Sequence, residues 1–196
     1  MLLQGKSAIV TGGAAGIGLA ICQRLVQEGA KVVNSDIDES RGKALEARLR
    51  AEGGNVWFIR SDVGTVVGVE KMVAEAIGLV GRLDILVNNA GVTRRIGILD
   101  ITEQDWDWIQ SINAKGLFFC LQRVAVHMKE MGGGKIVNIA SIAGKGAKGT
   151  SNACYAASKA AAITIARVAA NELGSVRLGP NLWTGSRRQI RRSSLK

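Results

Sequence analysis

The chain has 196 residues, 47% of them apolar and 21% charged, with a formal net charge of +10. That length and balance suit one globular domain with a substantial core rather than a disordered or fibrous chain. The charge is no nucleic-acid signature. Arg177, Arg187, Arg188, Arg191, Arg192 and Lys196 all follow Gly174 with no acidic residue among them, which leaves 20 basic against 16 acidic groups before it.

No run nears the ~20 apolar residues of a membrane span, and residues 1–5 lead into the first apolar run with no leader signature. Cys22, Cys120 and Cys154 are odd in number and form no CxxC pair, so free thiols in a reducing, cytoplasmic setting are expected.

Residues 6–10 (KSAIV) read as a first strand, running into the glycine-rich turn TGGAAGIG, with Gly12, Gly16, Ile17 and Gly18. Helical spacing of Leu, Ile and Val over 17–28 ends at Gly29. A second strand is expected over 31–36, ending in Asp36. A charged helix over 39–52 and a third strand over 56–60 (VWFIR) follow. Beyond Asp62 and Val63 come a helix over 65–80 and a fourth strand over 83–88, which runs into Asn88-Asn89-Ala90-Gly91. Thr102 offers an N-cap for one long helix to about Met131, with Asn113 inside it. A fifth strand over 134–140 delivers Ser141. The Ala-rich stretch from Tyr155 to about Leu173 should be helical.

Strands alternating with helices define an α/β fold with a doubly wound parallel sheet, in which ligands bind beyond the carboxyl ends of the strands. The glycine turn, the NNAG turn and Ser141 all fall at that edge.

Glycines between a strand and a helix allow close approach of a diphosphate, which the free N–H groups of the helix N-terminus then stabilise. Asp36, 18 residues after Gly18, suits the adenosine ribose hydroxyls and would repel a 2′-phosphate. No Arg or Lys lies between Gly12 and Gly18 to receive one, so NAD is expected over NADP. Asp62 and Val63 follow the third strand where the adenine edge should lie. An ordinary loop Asp and a core Val would fit those two positions as well.

Tyr155 and Lys159 are four residues apart and share a helix face, so an ammonium stands beside a phenol. A cation there favours the phenolate and makes the phenol a usable general acid or base. Alone, the pair also describes an amphipathic helix with a core Tyr and a solvated Lys. His127 reads as a packing or surface residue, Trp106 and Trp108 as packing residues, and Arg94 and Arg95 as a solvated loop rather than an anion site. No cluster supports a metal.

Taken together, TGGAAGIG, Asp62-Val63, NNAG, Asn113 in SINAKG, Ser141 and Tyr155-x-x-x-Lys159 resemble the short-chain dehydrogenase/reductase family of the compact one-domain type, over about residues 6–173. The resemblance implies a Rossmann-type domain transferring a hydride between NAD(H) and a secondary alcohol or ketone. It implies Tyr155 as general acid/base and Lys159 as the cation beside it that also holds the nicotinamide ribose. Ser141 would be the hydrogen-bond donor to the reacting oxygen, and Asn113 the holder of a relay water. Asn89, Ala90 and Gly91 would line the cofactor cleft. It also implies a homodimer through the two long helices, with polyols, sugars and 3-oxoacyl thioesters all open as substrates.

After Gly174 the pattern of the family stops. Residues 1–174 are expected to form the oxidoreductase domain, lacking the family's last strands, and 175–196 a basic, disordered tail with at most a strand remnant at 176–178. The abrupt change reads as a truncated or frameshifted end, and it would leave the fifth strand as an exposed sheet edge. The competing reading is therefore a catalytically poor fragment that binds nucleotide or full-length partner subunits.

Overall fold

The computed structural model describes residues 1–146 and 151–174, together with the main chain of 178–183. Six parallel strands form one sheet in the order β3-β2-β1-β4-β5-β6. They are β1 (Ser7–Thr11), β2 (Lys31–Asp36), β3 (Val56–Arg60), β4 (Ile85–Asn88), β5 (Gly134–Ile139) and β6 (Leu178–Trp183). The helices are α1 (Gly16–Gln27), α2 (Glu39–Ala51), α3 (Val66–Val80), α4 (Glu103–Gln110), α5 (Leu117–Glu130) and α6 (Ala153–Leu173).

The period of two in the strands sorts their side chains into two cores. Ile9, Val33, Leu86 and Ile136 point to the face covered by α3, α5 and α6. Their neighbours Val10, Val32, Val87 and Val137 face α1 and α2. Ile9, Leu86 and Ile136 are fully buried, each worth about 2 kcal/mol over exposure. Such two-sided burial makes the strands near-continuous apolar runs, as a parallel sheet requires.

Helix starts follow local chemistry. Asp38 accepts from Arg41 N, Thr65 from Gly68 N, and Thr102 forms a reciprocal capping box with Asp105.

Two expectations are corrected. The single long helix from Thr102 is interrupted by a π-helical segment, Ser111–Gly116, between α4 and α5. A Cβ on Gly116 would collide with the Val63 carbonyl, so the helix passes close to the loop after β3 at this point. β5 is also not the edge of the sheet. Leu178–Trp183 pairs with it from Gly134↔Leu178 to Ile139↔Trp183. Main-chain pairing does not depend on the composition that made this stretch read as a tail. Pro180, which brings no N–H, is tolerated on such an outer strand. The expected tail beyond it, 184–196, lies outside the described residues, as do Val176 and Arg177.

No helix among the described residues is long and apolar enough to cross a membrane.

Candidate active site

The carboxyl ends of β1, β2, β4 and β5 open into one cleft of about 730 Å³, lined from Gly12 and Asp36 at one end to Ser141, Tyr155 and Lys159 at the other. Gly16, Ile17, Asp62, Val63, Asn89, Ala90 and Gly91 line it as well. The sequence motifs therefore converge, although they come from five separate stretches of chain.

At the first end, Gly12 and Gly16 have φ of 65° and 53°, which other residues adopt only with strain. A Cβ on Gly18 would collide with the Gly12 carbonyl, and one on Gly12 would sit 2.8 Å from Ala90 Cα. The turn is thus packed backbone on backbone. Asn89 fastens it: Nδ2 donates to the carbonyls of Thr11 (3.0 Å) and Gly12 (2.9 Å). Thr11 Oγ1 accepts in return from the amides of Asn89 and Ala90, both at 3.1 Å. α1 begins without a side-chain cap or an acidic residue in its first turn, so nothing of that kind occupies its N-terminus. The Asp36 carboxylate accepts from Ala14 N and Asp38 N, each at 3.0 Å, and stands beside the glycine turn. Asp62 turns back on its own loop, accepting from Gly64 N at 2.8 Å.

At the other end, Lys159 is only 4% exposed. Its Nζ donates to the Ile139 carbonyl at 2.9 Å and lies 5.6 Å from the centre of the Tyr155 ring. Burial pushes its ammonium down to about 8. Ser141 starts the short 3-10 turn Ile142–Lys145, and its Oγ accepts from Ala143 N at 3.2 Å. Its hydroxyl hydrogen is not used by that bond. A Cβ on Gly144 would strike the main chain of Lys159 and Ala160 at 2.6–2.7 Å, so glycine lets this turn rest directly on α6.

Asn113 does not line the cleft; it is buried behind it. Its Oδ1 accepts from Val92 N at 2.8 Å, while Nδ2 donates to Val92 O (2.9 Å) and Ser158 Oγ (3.0 Å). Oδ1 and Lys159 Nζ nevertheless flank the same point, each 3.3 Å from where a Cβ on Gly91 would lie.

Sequence reasoning missed Ser158, which is fully buried and donates to the Tyr155 carbonyl at 2.8 Å. It also missed Asn88, whose Nδ2 donates to Asn138 Oδ1 at 2.9 Å and ties β4 to β5 beneath the site. Both partnerships span 45 or more residues, a separation at which spacing carries no signal.

The remaining candidates have structural places. His127 is buried and its Nε2 accepts from Leu83 N at 3.2 Å. Arg94 pairs with Asp105 at 2.9 Å and lies over the Trp108 ring. All three cysteines are free and buried, and burial pushes the thiols of Cys22 and Cys120 up to about 12, far from nucleophilic use. No group of three His, Cys, Asp or Glu among the described residues is placed to hold a metal.

A strand-edge cleft with a glycine turn at one end and a Ser, Tyr and Lys at the other defines a class of dinucleotide-dependent α/β proteins. The chain belongs to the short-chain dehydrogenase family, whose model matches residues 6–179. It is 40% identical over 174 residues to the (2S)-[(R)-hydroxy(phenyl)methyl]succinyl-CoA dehydrogenase subunit BbsD of Thauera aromatica, covering 89% of this chain and 69% of that one. It is 39% identical to the 3-oxoacyl-[acyl-carrier-protein] reductase FabG of Chlamydia pneumoniae, covering 88% and 69%. A short chain dehydrogenase/reductase from Burkholderia phymatum, solved in complex with NAD, superposes with a TM-score of 0.88 at 29% identity, over 93% of this chain and 66% of that one. The chain thus spans about two thirds of the length of these relatives.

Proposed function

We propose that the protein is an oxidoreductase that binds NAD(H) and interconverts a secondary alcohol and a ketone. The observation that carries this is a single cleft with Asp36 and the glycine turn at one end and Ser141, Tyr155 and Lys159 at the other.

The residues present fit the cofactor. Collisions that would follow any Cβ at Gly12 or Gly18 keep that wall as bare backbone. The uncapped start of α1 suits a diphosphate, and the Asp36 carboxylate suits ribose hydroxyls over a 2′-phosphate. Asp62, Val63 and Asn89 to Gly91 complete that half of the lining. When bound, NAD(H) supplies or takes up the hydride.

The chain's own groups handle the proton. Tyr155 gives its phenolic proton to the carbonyl oxygen in reduction and takes it back from the hydroxyl in oxidation. Ser141 donates its unused hydroxyl hydrogen to that same oxygen. Lys159, with one N–H on the Ile139 carbonyl, keeps two for ribose hydroxyls and for a water. The unfilled lone pair of Asn113 Oδ1, across Gly91 from Lys159, is the seat from which that water is held. The two helices around α4 and α6 support homodimer formation as the accompanying assembly.

Acyl thioesters of 3-oxo acids head the substrate panel, since the names of two relatives place their substrates on coenzyme A or acyl-carrier protein. The test measures NAD binding, then NADH turnover against 3-oxoacyl thioesters, simple ketones and polyols, with Tyr155→Phe as control. Turnover that falls at least about a hundredfold in Tyr155→Phe while NAD still binds supports the enzyme. Binding without turnover in either protein leaves a nucleotide-binding fragment instead.

A further inference from the structure

Asn152 takes part in three contacts that no sequence motif announced. It is the N-cap of α6, and its Oδ1 accepts from the amide of Tyr155 at 2.8 Å. Its Nδ2 donates to the Arg94 carbonyl at 2.6 Å and reaches Thr93 Oγ1 at 3.4 Å. One side chain thus grips the main chain of the proton-donating residue with one end and the loop after β4 with the other.

That loop is fixed in turn. The Arg94 guanidinium pairs with Asp105 and lies 4.8 Å from the centre of the Trp108 ring, both on α4. From α4, Gln110 Nε2 donates to the Cys154 carbonyl at 2.9 Å and closes the circuit back onto the first turn of α6. Thr93, Arg94, Arg95, Ile96, Ser151 and Asn152 also line a groove beside the cleft, where the part of a substrate beyond its carbonyl would lie.

We infer that Asn152 is a positioning residue, holding Tyr155 and the substrate-side wall of Thr93 and Arg94 in one fixed relation through the two ends of its amide. The inference rests on Tyr155 being the proton donor. A side chain shorter than Asn caps the helix without reaching Arg94, so capping and tying are separable by mutation.

The test compares Asn152→Ser and Asn152→Ala in the full chain, reading steady-state kinetics, NADH affinity and amide hydrogen exchange. Ser keeps an acceptor for Tyr155 N but loses the donor to Arg94 O. In Asn152→Ser the Tyr155 amide stays protected, exchange at residues 93–97 rises, and KM for the carbonyl substrate rises about tenfold with kcat and NADH affinity held. In Asn152→Ala the Tyr155 amide also loses protection and kcat falls. The inference is overturned if Asn152→Ser matches the parent in both exchange and KM, or if KM and NADH affinity weaken together as in general loosening. A parent chain that turns over no carbonyl substrate sinks the functional reading instead, and the exchange pattern then decides by itself whether the tie exists.

Discussion

The ammonium of Lys159 donates to the main-chain carbonyl of Ile139, the last residue of β5, two positions before Ser141. The bond hangs the Tyr-Lys helix from the strand that delivers the serine, so the two halves of the proposed acid–base machinery share one fixed frame. It also holds a cation in a place with little water.

That burial costs stability in a pH-dependent way. With a folded value near 8 against an ordinary 10.5, the unfolded chain holds this proton more tightly. The penalty is complete below pH 8 and is relieved as pH rises from 8 towards 10.5. It is on the order of 3 kcal/mol, offset by about 1 kcal/mol for the bond to Ile139. Lys159→Met should be inactive yet more stable than the parent at pH 7 in urea denaturation. Its advantage should shrink by pH 10, and a margin unchanged between the two pH values would refute this.

Glycine positions differ sharply in what they tolerate. Gly18→Ala drives a methyl into the Gly12 carbonyl and should cost about 1–3 kcal/mol as well as most of the NAD affinity. Gly78 in α3 has open space where its Cβ would be, so Gly78→Ala should gain roughly 0.5–1 kcal/mol. Thermal melts with NAD titration on both variants check the pair; equal behaviour would contradict it.

Asp36 should decide between the two nicotinamide cofactors. Asp36→Ala removes the carboxylate that faces the ribose end and leaves Ala14 N without its partner. NAD affinity should fall about tenfold while discrimination against NADP narrows. Titration of each cofactor by fluorescence would show it, and unchanged selectivity would count against a ribose role for this residue.

At the opposite end of the sheet, Asp84 collects Ser7 N, Lys6 and Arg82. Burial works against its charge, but these hydrogen bonds prevail and hold the carboxyl below the usual range. The stability it contributes is therefore present above about pH 4 and lost as pH falls further, through the folded value. Asp84→Asn should destabilise the protein by about 2 kcal/mol at pH 7. Denaturation curves repeated at pH 3 should show the two proteins converging.

Much of this molecule was legible because its chemistry is local in the chain. The glycine turn, Asp36, NNAG and the Tyr155/Lys159 pair are short patterns, and the strand-edge rule alone brings them to one cleft. Relations made across the fold were not legible. Ser158 meets Asn113 from 45 residues away, Asn152 meets Arg94 from 58, and Gln110 meets Cys154 from 44. Each is an ordinary polar residue until the tertiary structure supplies its partner. β6 went unread for a different reason: main-chain pairing beside β5 leaves no trace in side-chain periodicity.

The π-helical segment at Ser111–Gly116 has a consequence for which changes in length the chain can bear. An α-helix advances about 100° per residue, so a segment wound more widely fixes the azimuth of everything after it. Upstream, that azimuth aims Gln110 at α6. Downstream, it turns Cys120, Leu121, Val124 and Met128 into the core. Removing one residue would swing α5 by roughly 100°, carrying its apolar stripe away from α3 and Asn113 away from Val92. The segment works as a phase shifter between two helices with different obligations, and the number of residues within it is as constrained as their identity.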